Sequence, residues 1–164
     1  MNFIPHFVFI ISTTGILMAC HQPNNNTAPQ PSKDSIKARQ DLMHQWGNSY
    51  DIIKNMAKHP ESFDAKQLTA QTTLINESKA QMWHYFNGHI NDNPPNERAN
   101  RVNRLVQQNP TDFKQATNQF DEVFERLHQA SQHTTSINDI KDEIKQVKAS
   151  CKSCHKTYKK PSIF

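Results

Sequence analysis

Apolar residues recur at steps of three and four along four stretches of the chain, the spacing that stacks side chains on one face of an α-helix. The first stretch carries Ile36, Arg39, Met43, Trp46, Tyr50, Ile53 and Ala57 and stops at His59-Pro60, since proline disfavours helical backbone in the residue before it. On the second, Leu68, Ile75, Met82 and Phe86 share a face, with Asp64 the expected N-cap and Asn87-Gly88 the stop. The third begins around Pro110 and carries Phe113, Ala116, Phe120, Val123, Leu127 and Ala130. The fourth opens at Ser136, where Asp139 three residues later approximates a capping box, and runs through Ile137, Ile140, Ile144 and Val147.

Between the second and third stretches, residues 91–108 contain Pro94-Pro95 and read as a long connection with a short helix from Glu97. Strand-like alternation is absent. Four amphipathic helices joined mostly by short loops predict an all-α fold, an antiparallel four-helix bundle. A coiled-coil dimer fits the unequal helices less well. The aromatic residues on these faces, Phe113, Phe120 and Phe124 among them, read as core.

Composition narrows this picture without changing it. The 164 residues make one domain, and three glycines with a mean hydropathy of −0.83 suit helices joined by few turns. The net charge of +4 is modest, and no clustered basic stripe of the kind nucleic acid requires stands out. Lys156, Lys159 and Lys160 are local to the C-terminus, where cations suit a helix end.

The first residues do not belong to this pattern. Residues 7–19 are apolar and nearly uncharged, too short for a comfortable membrane span, so residues 1–19 read as a signal peptide. Leu17-Met18-Ala19-Cys20 is similar to a bacterial lipobox, in which Cys20 becomes the lipid-bearing first residue. The alternative is an ordinary secretory signal with an incidental cysteine, and either way the chain is expected to leave the cytoplasm. Residues 20–34, rich in Asn, Gln and Pro, read as a flexible tether, and the folded domain is expected over residues 35–160.

The chemistry gathers at the end of the fourth helix. Its apolar stripe continues at steps of four and three through Cys151, Cys154 and Tyr158, so both thiols are expected to face the bundle. Two thiols three positions apart lie on one helical face and match the two vinyl groups along a haem edge, and the adjacent His155 can ligate iron. C-x-x-C-H is the haem-attachment signature, which points to one covalent haem c. A thioredoxin-like pair would open a helix rather than close one. Zinc would need a fourth ligand beyond Cys151, Cys154 and His155. A disulfide between these cysteines is poorly placed on a regular helix. Of the other histidines, His44, His59, His128 and His133 read as polar-face residues, while His84 and His89 lie where one could approach a haem edge.

The run Cys151-Lys152-Ser153-Cys154-His155-Lys156-Thr157-Tyr158-Lys159 resembles the CxxCHxxYR or CxxCHxxYK signature of the cytochrome c prime family, the class II c-type cytochromes. Arg39-Gln40 followed by Met43 resembles that family's Arg-Gln pair and its distal apolar residue, Trp83 and Phe86 its Trp-x-x-Phe element, and residues 112–115 the start of its third helix. The resemblance covers residues 35–160 and implies haem near the C-terminus of the last helix, with His155 as axial ligand. It further implies that Arg39 and Gln40 meet the haem propionates and that Met43 closes the distal face. If Met43 only packs, iron is five-coordinate and nitric oxide or carbon monoxide can bind. If its sulfur ligates, the protein is a six-coordinate, c-556-like electron carrier.

Lys159 stands where many members carry Arg, and Asp92 is the nearest candidate for the acidic residue some members place beside the haem. The expected partners are redox proteins and those gases, with a homodimer, no nucleic acid, and membrane contact only through a lipid anchor in the periplasm of a Gram-negative bacterium. No constellation of catalytic acids and bases is evident, so an electron carrier or haem-binding protein is expected rather than an enzyme. A structural or zinc-binding lipoprotein is the reading from a different class.

Overall fold

The computed structural model describes residues 33–87, 102 and 104–160. Among the described residues five α-helices follow in order: α1 (Lys33–Lys58), α2 (Ala65–Asn87), the single turn α3 (Leu105–Gln108), α4 (Pro110–Ser131) and α5 (Lys141–Tyr158). Cys20, His89, Asp92, Glu97, residues 1–19 and all but the last two residues of the 20–34 segment lie outside the described residues, while residues 33 and 34 open α1.

Local chemistry sets most of the boundaries. Helix α1 stops at Lys58, ahead of Pro60, which opens a 3-10 turn over Pro60–Ser62. Asp64 caps α2 as expected, its Oδ1 accepting the amides of Lys66 and Gln67 at 2.9 and 3.0 Å. Pro110 stands at the start of α4, where the missing N–H costs nothing. The expected start of the fourth helix needs correction. Ser136 Oγ accepts the Asn138 amide at 3.3 Å, but the turn it caps is a 3-10 turn over Ile137–Ile140, and the α-helix begins at Lys141. Tertiary packing explains the tighter turn: it drives both Ile137 and Ile140 into the core, a three-residue spacing that 3-10 geometry places on one side.

Side-chain pairs fix an up-down-up-down bundle. Trp46 with Ser78 and Arg39 with Tyr85 run α1 antiparallel to α2. Lys79 with Glu125, Trp83 with Asp121 and Phe86 with Phe113 do the same for α2 and α4. Phe113 with Tyr158 and Arg126 with Gln146 orient α5 against α4. Tyr50, whose hydroxyl donates to the Ile144 carbonyl at 2.9 Å, closes the ring between α1 and α5.

The core holds Ile53, Met56, Leu68, Ile75, Met82, Phe124, Leu127, Ile137, Ile144 and Val147, all nearly fully buried. Trp46 stacks on Phe120 at 5.3 Å and meets Trp83 edge-on at 5.5 Å. Both indole N–H groups are satisfied, by Ser78 Oγ at 2.8 Å and by the Asp121 carboxylate at 2.9 and 3.0 Å. A second, smaller cluster of Val102, Val106 and Phe113 caps the end of the bundle beside Phe86 and Tyr158, and an isolated bridge joins Val102 to Lys159.

Candidate haem-attachment site

The inward stripe of α5 changes character along its length. Ile144 and Val147 are buried, whereas Cys151, Cys154 and Tyr158, on the same face, are half-buried. Both cysteines are free thiols, and Cys151 packs against the main core. Burial, with a contribution from neighbouring Cys154, pushes the Cys151 thiol up to about 11, and burial raises Cys154 as well. At neutral pH both thiols therefore carry their protons, each facing apolar surroundings with part of its surface accessible.

His155 follows at the outer margin of this face. Desolvation, and then the Lys159 ammonium, hold its imidazole below the usual histidine range, so the ring is neutral at pH 7 and has a lone pair to offer a metal. The Lys159 amide donates to the His155 carbonyl at 3.1 Å, ending the helix at that turn.

The bundle topology brings α1 to this end. Antiparallel helices rise equally, so from the Tyr50–Ile144 contact, seven residues back along α1 and seven forward along α5 set Met43 level with Cys151. By the same register Arg39 and Gln40 stand level with His155 and Cys154. Met43 is half-buried and packs against the core, and Gln40 is half-buried.

Arg39, far from being a solvated helix charge, is 5% exposed. Its guanidinium lies 4.9 Å from the Phe86 ring centroid, and Nη1 donates to the Tyr85 carbonyl at 3.5 Å. Burial lowers its pKa to about 10. From Phe86 the ring contacts run to Phe113 at 5.1 Å and on to Tyr158 at 5.1 Å. A line of aromatic side chains thus ties Arg39 on α1 to the turn that follows His155 on α5.

Three participants lie beyond what local sequence pattern shows. Tyr50 lies on the α1 stripe, and its hydroxyl also donates to the α5 backbone seven residues before Cys151. Val102 and Val106 fell within a connection, although they are the apolar exceptions in a polar stretch and cover Tyr158. His84 is exposed, and His44, His59 and His133 are exposed as well. Among the described residues no three His, Cys, Asp or Glu side chains gather into a metal-binding cluster, and no helix is long and apolar enough to cross a membrane.

The site fits a planar apolar group held by two thiols and one imidazole. Cys151 and Cys154 share a face, keep accessible surface and are not oxidised to each other, and His155 adjoins them.

A protein-family model described as Cytochrome C′ matches residues 34–159. Among solved structures the chain is similar to a ferrous variant of cytochrome c prime from Alcaligenes xylosoxidans with bound NO, at 23% identity and a TM-score of 0.69, covering 80% of this chain and 97% of that one. It is similar also to a nitric oxide complex of another mutant of that protein, at 22% identity and a TM-score of 0.68, covering 80% and 98%. A third structure, named cytochrome c′, matches at 22% identity and a TM-score of 0.67, covering 80% and 98%. No curated protein matches the chain.

Proposed function

The chain belongs to the cytochrome c′ family and binds one covalent haem c, and on that premise we propose that it is an electron-transfer cytochrome whose distal face, closed by Met43, admits nitric oxide or carbon monoxide. The observation that carries the reading is the pair of half-buried, unoxidised cysteines on the core-facing stripe of α5 with His155 beside them. When bound, the haem would supply a one-electron iron couple and a site for a diatomic ligand.

The chain's own residues do the rest. Cys151 and Cys154 hold the group through thioethers. His155 Nε2, the ring nitrogen remote from the backbone, is assigned as proximal ligand, its neutral form favoured by desolvation and Lys159. Arg39 keeps a cation in a desolvated position at the level of this motif, where an anionic propionate offsets the cost of burying it. Gln40 supplies an amide donor beside it. Met43 packs among core side chains, which favours the closing role over ligation. Neighbouring structures with nitric oxide bound support gas binding for this fold. Export to the periplasm with a lipid on Cys20 belongs to the same proposal and rests on the apolar run of residues 7–19 and the Leu17-Met18-Ala19-Cys20 sequence.

A pyridine haemochrome spectrum of the purified protein tests the attachment, and a c-type band is expected. Met43→Ala tests the distal face. The ferrous spectrum is expected to stay high-spin while nitric oxide binds more readily. A low-spin parent spectrum that turns high-spin in the variant would assign Met43 as second axial ligand instead.

A further inference from the structure

Helix α5 carries a second stripe that neither the fold nor the haem site uses. Lys141, Lys145, Lys148, Lys152, Lys156 and Lys159 follow one another at steps of four and three, the signature of a single helical face. At about 100° per residue this stripe lies roughly 100° round the helix from the Ile144–Cys151–Tyr158 face, with His155 between the two. All but Lys141 are exposed. Helix α4 meets the other flank of α5, through the 2.9 Å bond from Arg126 to Gln146.

Between Lys141 and Lys160 the chain has seven lysines against two acids, Asp142 and Glu143, a local charge of +5 in a chain whose total is +4. Everything outside this segment therefore sums to −1. The whole net charge of the protein resides on the segment 141–160, which bears the haem cysteines.

Folding does not ask for this arrangement. The helix dipole favours cations at the C-terminal end, which accounts for Lys156 and Lys159, but it disfavours Lys141 in the first turn. Five successive lysine pairs along the stripe stand at i,i+3 or i,i+4, where like charges repel. Of the acids on the helix, Asp142 pairs with Lys145 at 2.8 Å, and among the described residues no ion pair is formed by Lys148, Lys152 or Lys156. The nearby acid of α1, Asp51, is taken by Lys54.

We propose that the lysine face of α5 is the docking surface for an acidic one-electron carrier protein, which it seats beside His155. This rests on the haem reading above and adds the class of partner and its point of approach. Three features favour a protein over a membrane surface. The exposed residues next to the stripe, Ala149 and Ser153, include no large apolar side chain to enter lipid. The stripe extends over about 27 Å at 1.5 Å per residue, the dimension of a small protein–protein contact. It is built of lysine alone, whose hydrated point charges suit fast, loosely oriented encounter rather than bidentate locking. In the encounter one electron passes between the partner's redox centre and the haem iron, one protein oxidised as the other is reduced, with no bond or proton transferred.

The test uses the haem-loaded protein, isotope-labelled, with an acidic plant-type [2Fe–2S] ferredoxin as probe. Titration at low ionic strength is expected to shift amides of α5 from Lys145 to Lys159, and 0.5 M NaCl to abolish the shifts. Lys148→Glu/Lys156→Glu is expected to weaken association at least tenfold and flatten its salt dependence, and Lys148→Gln/Lys156→Gln to do so less. A control pair off the helix, Lys37→Glu/Lys66→Glu, is expected to change it less than twofold. Equal loss in the control, shifts that map elsewhere, or unchanged binding by the α5 variant overturns the proposal. So does binding of phosphatidylglycerol vesicles through the same amides without ferredoxin binding. The haemochrome band, read on every variant, reports separately on the haem.

Discussion

The two halves of α5's inner face share one periodicity and have opposite fates. Ile144 and Val147 are 4% and 1% exposed and are enclosed by neighbouring helices. Further along, Cys151 and Cys154 point the same way but remain half-buried, with thiols that burial keeps protonated. The first half builds the bundle and the second presents chemistry. The change coincides with the register at which α1 offers Met43, Gln40 and Arg39 rather than its fully buried Ile53 and Met56. An amphipathic stripe thus states which way a side chain points, while its partners decide how much of it they cover.

The sharpest way to break this comparison is to remove both thiols. Cys151→Ala/Cys154→Ala is expected to eliminate covalent haem completely, as read by haem staining after denaturing electrophoresis, while far-ultraviolet circular dichroism keeps its helical signal. Collapse of the helical signal would place the cysteines in the structural half. Ile144→Ala is the converse. It should cost about 3 kcal/mol in urea unfolding, the scale of a buried Ile truncated to Ala, and leave the haem absorption spectrum unchanged.

A smaller effect is expected at the junction between the halves. Tyr50→Phe removes the hydrogen bond to the Ile144 carbonyl and should cost about 1 kcal/mol at pH 7. Burial, followed by the charges of Cys151 and Asp51, raises the Tyr50 phenol from 10.0 to about 12. A raised folded pKa means the folded state holds that proton more tightly. Its contribution is intact below pH 10 and is lost as the pH rises through about 12. Alkaline unfolding of Tyr50→Phe, followed by circular dichroism, should therefore be less steep than that of the parent.

The smallest change is expected at the polar pair between α2 and α4. Burial raises the Asp121 carboxyl against the opposing bond from Trp83 and the charge of Lys79. Asp121→Asn keeps an acceptor for the Trp83 indole and should alter stability by less than about 0.5 kcal/mol at pH 7. A loss as large as that of Ile144→Ala would make this polar pair part of the structural half.

Most of this was legible in the sequence where the signal was local. Asp64, Pro60 and Pro110 acted as cap, stop and start because capping and proline effects need only the next few residues. Phe113, Phe120 and Phe124 were readable as core from spacing alone. Ser136 was readable as a cap, but the 3-10 turn it opens was not, since packing of Ile137 and Ile140 chose that geometry. Tyr50 was legible as a helix-face residue, and its bond to α5 joins positions 94 residues apart, beyond any local pattern.

By itself the sequence determined four amphipathic helices, the Cys151-x-x-Cys154-His155 motif at the close of the last, and the inward direction of both thiols. Helical periodicity and thiol spacing are properties of one segment and need no neighbour. Only the tertiary structure decided that Arg39 is buried against Phe86, that Val102 and Val106 cover Tyr158, and that Met43 stands level with Cys151. Those outcomes depend on which faces meet and in what register, and that is settled by the closure of the whole bundle rather than by any one of its helices.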